Sequence, residues 1–362
     1  MSQRGMSQRV WSRRTAISGA AGATALTALS TSALSTSALG GTAPGGRADA
    51  GTKPAEPGAW TANGHLYPIG SGSQRAVVAG VAATLLSWRV DGTELLLTHD
   101  PDEVGEGYQG KALLPWPNRI DHGTYSFGGR QLQVPITEPD KQTALHGLMQ
   151  FVEWQPVLHT RDRVVLEHAL PPQYGYPFPM VFRAEFSVDD EGITRTLRAK
   201  NAGTTSAPYG TASHTYIAAS GDTINPLALR LPARTYYRTN ERLIPTGEAP
   251  VAGTPYDFRS PRELGQTTMD TAFTDLDRDA AGTATVEFHR PGGHDVQLWM
   301  DGTHDYLQVY TDDSPETDRP ARQGITVEPS TCAPNAFVTG DGLVVLRSGE
   351  VHESSWGYRI TG

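Results

Sequence analysis

Residues Gly324 to Phe337 read GITVEPSTCAPNAF. The β-branched run Ile325, Thr326, Val327 predicts a strand that delivers Glu328 to its end. There Pro329 offers no ladder donor, and Pro334 and Asn335 turn the chain. The expectation is a carboxylate at the lip of a sheet. Such a group is either a solvated edge charge or a general base, and this stretch alone leaves both open.

Working outward, short apolar runs alternate with turn signals at close intervals. Ala76 to Trp88 and Glu94 to Thr98 flank Asp91-Gly92, and Thr124 to Phe127 and Gln131 to Val134 flank Gly128-Gly129. Arg183 to Val188 and Ile193 to Arg198 flank an Asp-Asp-Glu-Gly turn, while Thr285 to His289 and Asp295 to Met300 flank Pro291-Gly292-Gly293. These are hairpin signatures. Helical period is sustained nowhere, and 26 prolines with 39 glycines would break it. The fold class is all-β: a large antiparallel sandwich forming a single domain over residues 60–362.

The first 50 residues read differently. Arg4, Arg9, Arg13 and Arg14 precede an uncharged stretch made almost wholly of Ala, Ser, Thr, Gly and Leu from Ala16 to Leu39, and Ser12-Arg13-Arg14-Thr15 has the form of a twin-arginine signal. Residues 1–50 are therefore expected to be an export leader and 51–59 a linker, placing the mature chain outside the cytoplasm. Of the 30 basic and 39 acidic residues, 25 and 38 lie beyond residue 50, a net charge of −13. So acidic a chain is not expected to bind nucleic acid or an anionic membrane. The single cysteine, Cys332, allows no internal disulfide and no thiolate-rich zinc site.

Two motifs invite misreading. Gly105, Gly107 and Gly110 satisfy G-x-G-x-x-G, but Asp102, Glu103 and Glu106 crowd the segment with negative charge and Pro115 forbids the helix that a phosphate site needs. Asp312, Asp313, Glu316 and Asp318 have the composition of a calcium loop without its spacing, and are expected to form a solvated surface turn. No metal is expected.

The chemically costly residues gather in loops. Lys111 to Ile120 reads KALLPWPNRI, a rigid segment presenting Trp116, Asn118 and Arg119; Leu145-His146-Gly147 gives an imidazole room beside a glycine; Pro208 to Tyr216 reads PYGTASHTY around His214. Taken singly, Trp116 reads as core, Arg119 as a surface ion pair and each histidine as structural. As a set, in order with LPA…RLIPTG (Leu231 to Gly247), DTAFTDL (Asp270 to Leu276) and EPSTCAPNAF, the chain resembles the aldose 1-epimerase (galactose mutarotase) family over nearly all of its length beyond the leader.

That resemblance implies a β-supersandwich fold, with Glu328 as general base and His214 as general acid. It also implies Arg119, His146 and Asp270 as holders of sugar hydroxyls. Asn118 would stand beside them, and Trp116 could cover an apolar sugar face. The reaction opens an aldose ring and recloses it through the other face of C1, with one group ionised and the other protonated; no metal or redox cofactor is required. The expectation is that Glu328 stays charged and, with Asp270, keeps the His214 imidazole protonated near neutral pH. The partner is a free aldose such as galactose or glucose, and the default oligomeric state is a monomer. Three alternatives stand beside this one. A hexose-6-phosphate 1-epimerase would want more Lys or Arg. A non-catalytic carbohydrate-binding protein could account for Thr215, where many family members carry Ser or Pro, and for Ala212 in the approach to His214. A glycosidase would use Glu328 and Asp270 as its carboxylates.

Overall fold

A computed structural model describes residues 60–315 and 317–361. The expected leader and linker, residues 1–59, lie outside the described residues. Two large antiparallel sheets make the sandwich. The nine-stranded sheet runs, edge to edge, Gln155–His159, Arg163–Leu170, Met180–Val188, Gly192–Asn201, Val351–Thr361, Asp295–Met300, Ala284–His289, Ala228–Arg230 and Arg262–Glu263. The eight-stranded sheet runs Pro245–Pro250, Ala233–Thr239, Asp270–Leu276, Tyr306–Tyr310, Gly324–Ser330, Ala212–Ser213 and Ala112–Leu113, with Tyr216–Ala218 pairing beside Gly324–Ser330. Among the described residues the one helix is the single turn Ala336–Thr339, between Asn335 and Gly340 at φ 64° and 87°.

Period-2 alternation decides which side chains form the core. In Met180–Val188, residues Met180, Phe182, Ala184, Phe186 and Val188 are buried while those between are half-exposed. In the smaller sheet, Phe273, Leu307, Val309, Ile325, Val327 and Ile217 point the other way from the polar residues beside them and join one hydrophobic cluster with the inner face of the larger sheet. The opposite face of that smaller sheet is left to carry the polar groups.

Two expectations about chain path are corrected. The run Ala76 to Trp88 is two strands, Gln74–Ala79 and Thr84–Val90, because Ala82 and Ala83 take positive φ and turn the chain between them. Pro329 does not end its strand: the ladder continues, with Leu307 opposite Pro329 and Tyr306 opposite Ser330. The neighbour on the other side pairs at Thr326 and Ser330 but not between them. A residue without an N–H is tolerated in that gap. Glu328 therefore sits inside a strand, 2% exposed, and not at a lip.

Candidate active site

The interrupted ladder builds the site. Ala212 pairs with Ser330 and Tyr216 with Thr326, so the antiparallel register between them sets His214 opposite Glu328. The two side chains meet, His214 Nε2 lying 3.4 Å from Glu328 Oε1. His214 leaves the ladder there: its N–H donates to Lys111 O and its carbonyl accepts from Gly110 N–H, both at 3.0 Å. On the other side Gln308 pairs with Glu328 and Ala272 with Gln308, giving one cross-strand row. The adjacent row on the same face holds Asp270, Tyr310, Thr326 and Tyr216.

A second wall comes from the short pair Arg119–Asp121 and Thr143–Leu145. Asn118, at φ 52°, and His146, at φ 60°, lock each other: His146 N–H donates to Asn118 O at 2.9 Å, and Asn118 N–H donates to His146 Nδ1 at 3.1 Å. An Nδ1 that accepts places the proton of the neutral ring on Nε2. Arg119 is gripped by Glu138 through both Nε and Nη2, at 2.8 and 2.9 Å, and its Nη2 stands 3.9 Å from Asp270 Oδ2. Asn335, from the stretch that follows Glu328, accepts from Asp121 N–H and donates its own N–H to Arg119 O, both at 2.9 Å. The Glu328 strand and the arginine wall are thereby tied together.

These elements enclose a cleft of about 220 Å³ lined by Glu328, His214, Arg119, His146, Asp270 and Asn118. Asn118 spends its Oδ1 on Arg119 N–H, so it positions the wall more than it offers hydrogen bonds to the cleft. Trp116 is a correction: it is 2% exposed and packs against Phe337 and Tyr176 with its Nε1 donating to Ala144 O, so its ring is core and faces no sugar. The two prolines that bracket it stiffen the segment; they do not present the ring.

Several lining residues went unread in the sequence. Glu138 is a lone carboxylate in a loop, with no signal of its own. Gln308 becomes visible only once its register with Glu328 is known; its Nε2 donates to Asp270 and its buried Oε1 has no partner. Tyr108, from the glycine-rich stretch set aside as a false nucleotide motif, packs edge-on to His146 at 4.7 Å. The acidic loop is a further correction. Asp312 is buried and paired through both oxygens with Arg319, at 2.6 Å each, and Arg319 also reaches Glu106 across the cleft mouth. Asp313 pairs with Arg322, Asp318 is exposed, and Glu316 lies outside the described residues. Two arginines that the spacing rule ignores convert part of a supposed surface turn into the rim of the site.

Burial dominates the electrostatics. Desolvation pushes Glu328 well above the ordinary carboxylate value; Asp270 adds to this and Arg119 opposes it. Desolvation likewise takes His214 down to about 3, with Arg119 acting in the same direction. His146 is held well below its usual value by burial, then by His214 and Arg119. Both shifts run against the expected ion pair, because taking a carboxylate and an imidazolium out of water costs more than their attraction returns across 3.4 Å. Burial thus favours the neutral form of each group.

This predicament links stability to pH with opposite signs. For Glu328, whose folded value is raised above the ordinary 4.5, stability is greatest below 4.5 and is lost as pH rises toward the folded value. For His214, depressed from 6.5, stability is lost as pH falls from 6.5 toward about 3. Glu328→Gln should therefore gain on the wild type, by about 1–2 kcal/mol, as pH rises past 5, and His214→Asn should gain as it falls below 6. Calorimetric melting across that range checks both; pH-independent differences would contradict the burial argument.

Known proteins resemble this chain in sequence and in fold. The Aldose 1-epimerase family profile matches residues 65–359. An uncharacterized protein of Escherichia coli K12, YihR, is 32% identical over 291 residues, covering 80% of this chain and 91% of that one. Human galactose mutarotase is 28% identical over 189 residues, 50% of this chain and 54% of that protein, so the match spans about half of the human enzyme. In fold, a galactose 1-epimerase from Lactobacillus acidophilus superposes with a TM-score of 0.68 at 20% identity over 80% of this chain and 91% of that one. An aldose epimerase homologue from C. elegans gives 0.73 at 19% identity, covering 82% and 98%. The chain belongs to the aldose 1-epimerase family.

Proposed function

We propose that the chain is an aldose 1-epimerase acting on a free aldose, with Glu328 as base and His214 as acid. The observation that carries this is the buried Glu328–His214 contact on the floor of a cleft sized for a single sugar ring. The pair starts neutral, and moving its one proton from Glu328 to His214 gives the carboxylate and imidazolium that ring opening needs. Glu328 then takes the proton of the C1 hydroxyl, the C1–O5 bond breaks with its electron pair going to O5, and O5 takes the proton of His214. The products are an open-chain aldehyde, protonated Glu328 and neutral His214, which is the charge state that burial favours.

After rotation about C1–C2 the steps reverse: His214 removes the O5 proton, O5 adds to the other face of C1, and Glu328 returns its proton to the former carbonyl oxygen. No proton is gained or lost by the pair over the cycle. Each positioned transfer contributes about 10² to 10⁴-fold. Arg119, Asp270 and the Nε2–H of His146 hold the remaining hydroxyls, their orientation set by Glu138 and Asn118.

The lining disfavours the hexose-6-phosphate alternative. It contains Glu106, Glu138, Asp270, Asp312 and Glu328 against Arg119 and Arg319, both arginines already paired. The ground for a non-catalytic reading also weakens. Thr215 is not among the cleft-lining residues, and its hydroxyl lies 3.2 Å from Ser213 Oγ.

Polarimetry of freshly dissolved α-D-galactose and α-D-glucose should show accelerated mutarotation by the wild type. Glu328→Gln and His214→Asn should each lose at least about 10²-fold while remaining folded. Sugar binding without acceleration by the wild type would replace the enzyme by a binding protein, and retained activity in either variant would remove its assigned role. We further propose export by the twin-arginine route, on the strength of Arg13-Arg14 and the uncharged run that follows. Fractionation should find the wild type outside the cytoplasm and an Arg13→Lys/Arg14→Lys variant retained; equal export of the two would contradict this route.

A further inference from the structure

Arg195 lies on the inward face of the strand Gly192–Asn201, between the core residues Ile193 and Leu197, and is 2% exposed. Among the described residues no carboxylate pairs with it, and its Nε and Nη2 are buried without an acceptor. Its guanidinium carbon lies 5.9 Å from the ring of Trp356, directly across the ladder. Burial lowers its pKa to about 10, which leaves it cationic at neutral pH. A cation withdrawn from water needs a counter-charge and acceptors, and among the described residues its Nε and Nη2 find no acceptor and its charge no carboxylate partner.

The groups around it share the same lack. Trp356 Nε1, and Ser354 Oγ two residues along the same face, are buried without partners, and the buried Tyr209 hydroxyl has only the Thr211 hydroxyl beside it. Tyr209 lies within electrostatic reach of Arg195, and so does the buried His304. The carboxylate beside His304, Asp301, is already engaged: it accepts from His304 Nδ1 at 3.0 Å, Ser355 N–H at 2.6 Å and Thr303 N–H at 3.0 Å. What gathers here is a positive charge with an indole N–H and hydroxyl donors, and no free carboxylate.

We propose that Arg195 holds a buried inorganic anion of halide size in the sandwich interior, with Trp356 Nε1 and the hydroxyls of Tyr209 and Ser354 completing its shell. Water would satisfy the donors but leave the charge uncompensated. The near-complete burial of the donor atoms favours a monatomic ion over a larger oxyanion. None of these residues lines the catalytic cleft, so the site is independent of the proposed activity and acts on the fold.

The test uses the full chain purified without halide. In gluconate buffer of constant ionic strength, replacing gluconate by chloride should raise the wild-type Tm by about 2 °C or more, and should leave an Arg195→Met variant unmoved. Crystals grown in bromide should show an anomalous peak within hydrogen-bond reach of the guanidinium. A chloride-independent wild-type Tm, or a map with only water at Arg195 and no bromide peak, would overturn the proposal. Should Arg195→Met fail to fold, the wild-type bromide map decides alone.

Discussion

A carboxylate and an imidazole, 3.4 Å apart and both out of water, are the constraint around which the rest is arranged. Neither is comfortable as an ion in that position, so the protein must hold them in place by other means. The means is strand register. Two fixed pairs, Ala212 with Ser330 and Tyr216 with Thr326, leave an unpaired interval between them, and His214 faces Glu328 across it. The hydrophobic face of the same strand, through Ile325 and Val327, anchors that register in the core, because a one-residue slip would turn Glu328 inward.

The same economy governs the arginine wall. Arg119 is buried, and burial alone would weaken its charge, but the two-pronged grip of Glu138 holds its pKa above the ordinary value. The guanidinium beside Asp270 is thereby fixed in place before any ligand is bound. The rim repeats the device with Arg319 between Asp312 and Glu106. Arg195, by contrast, is a buried guanidinium that no described carboxylate pairs, and an external anion is proposed there.

How much of this was legible beforehand follows from the range of the interactions. Hairpins are local, and turn residues such as Gly128-Gly129 and Pro291-Gly292-Gly293 announce them; the strands on either side form where expected. Glu328, His214, Arg119, His146 and Asp270 could be singled out because they sit in distinctive loops and motifs that resemble a family. Trp116 was misplaced because prolines on both sides of an aromatic describe a rigid backbone equally well whether the ring points in or out. Gln308, Glu138 and the Asp312–Arg319 pair depend on contacts between distant segments, and no local spacing encodes those. The charge state of the Glu328–His214 pair was also beyond local reading, since it depends on how completely water is excluded.

That charge state is the central claim, and one measurement reaches it directly: histidine-selective ¹⁵N NMR of the sugar-free chain, with His214→Asn to assign the resonance, between about pH 5 and pH 8. A neutral His214 imidazole that does not titrate anywhere in this range is the result expected from burial of the pair. An imidazolium, or a ring titrating near the ordinary 6.5, would contradict it and restore a standing ion pair with Glu328.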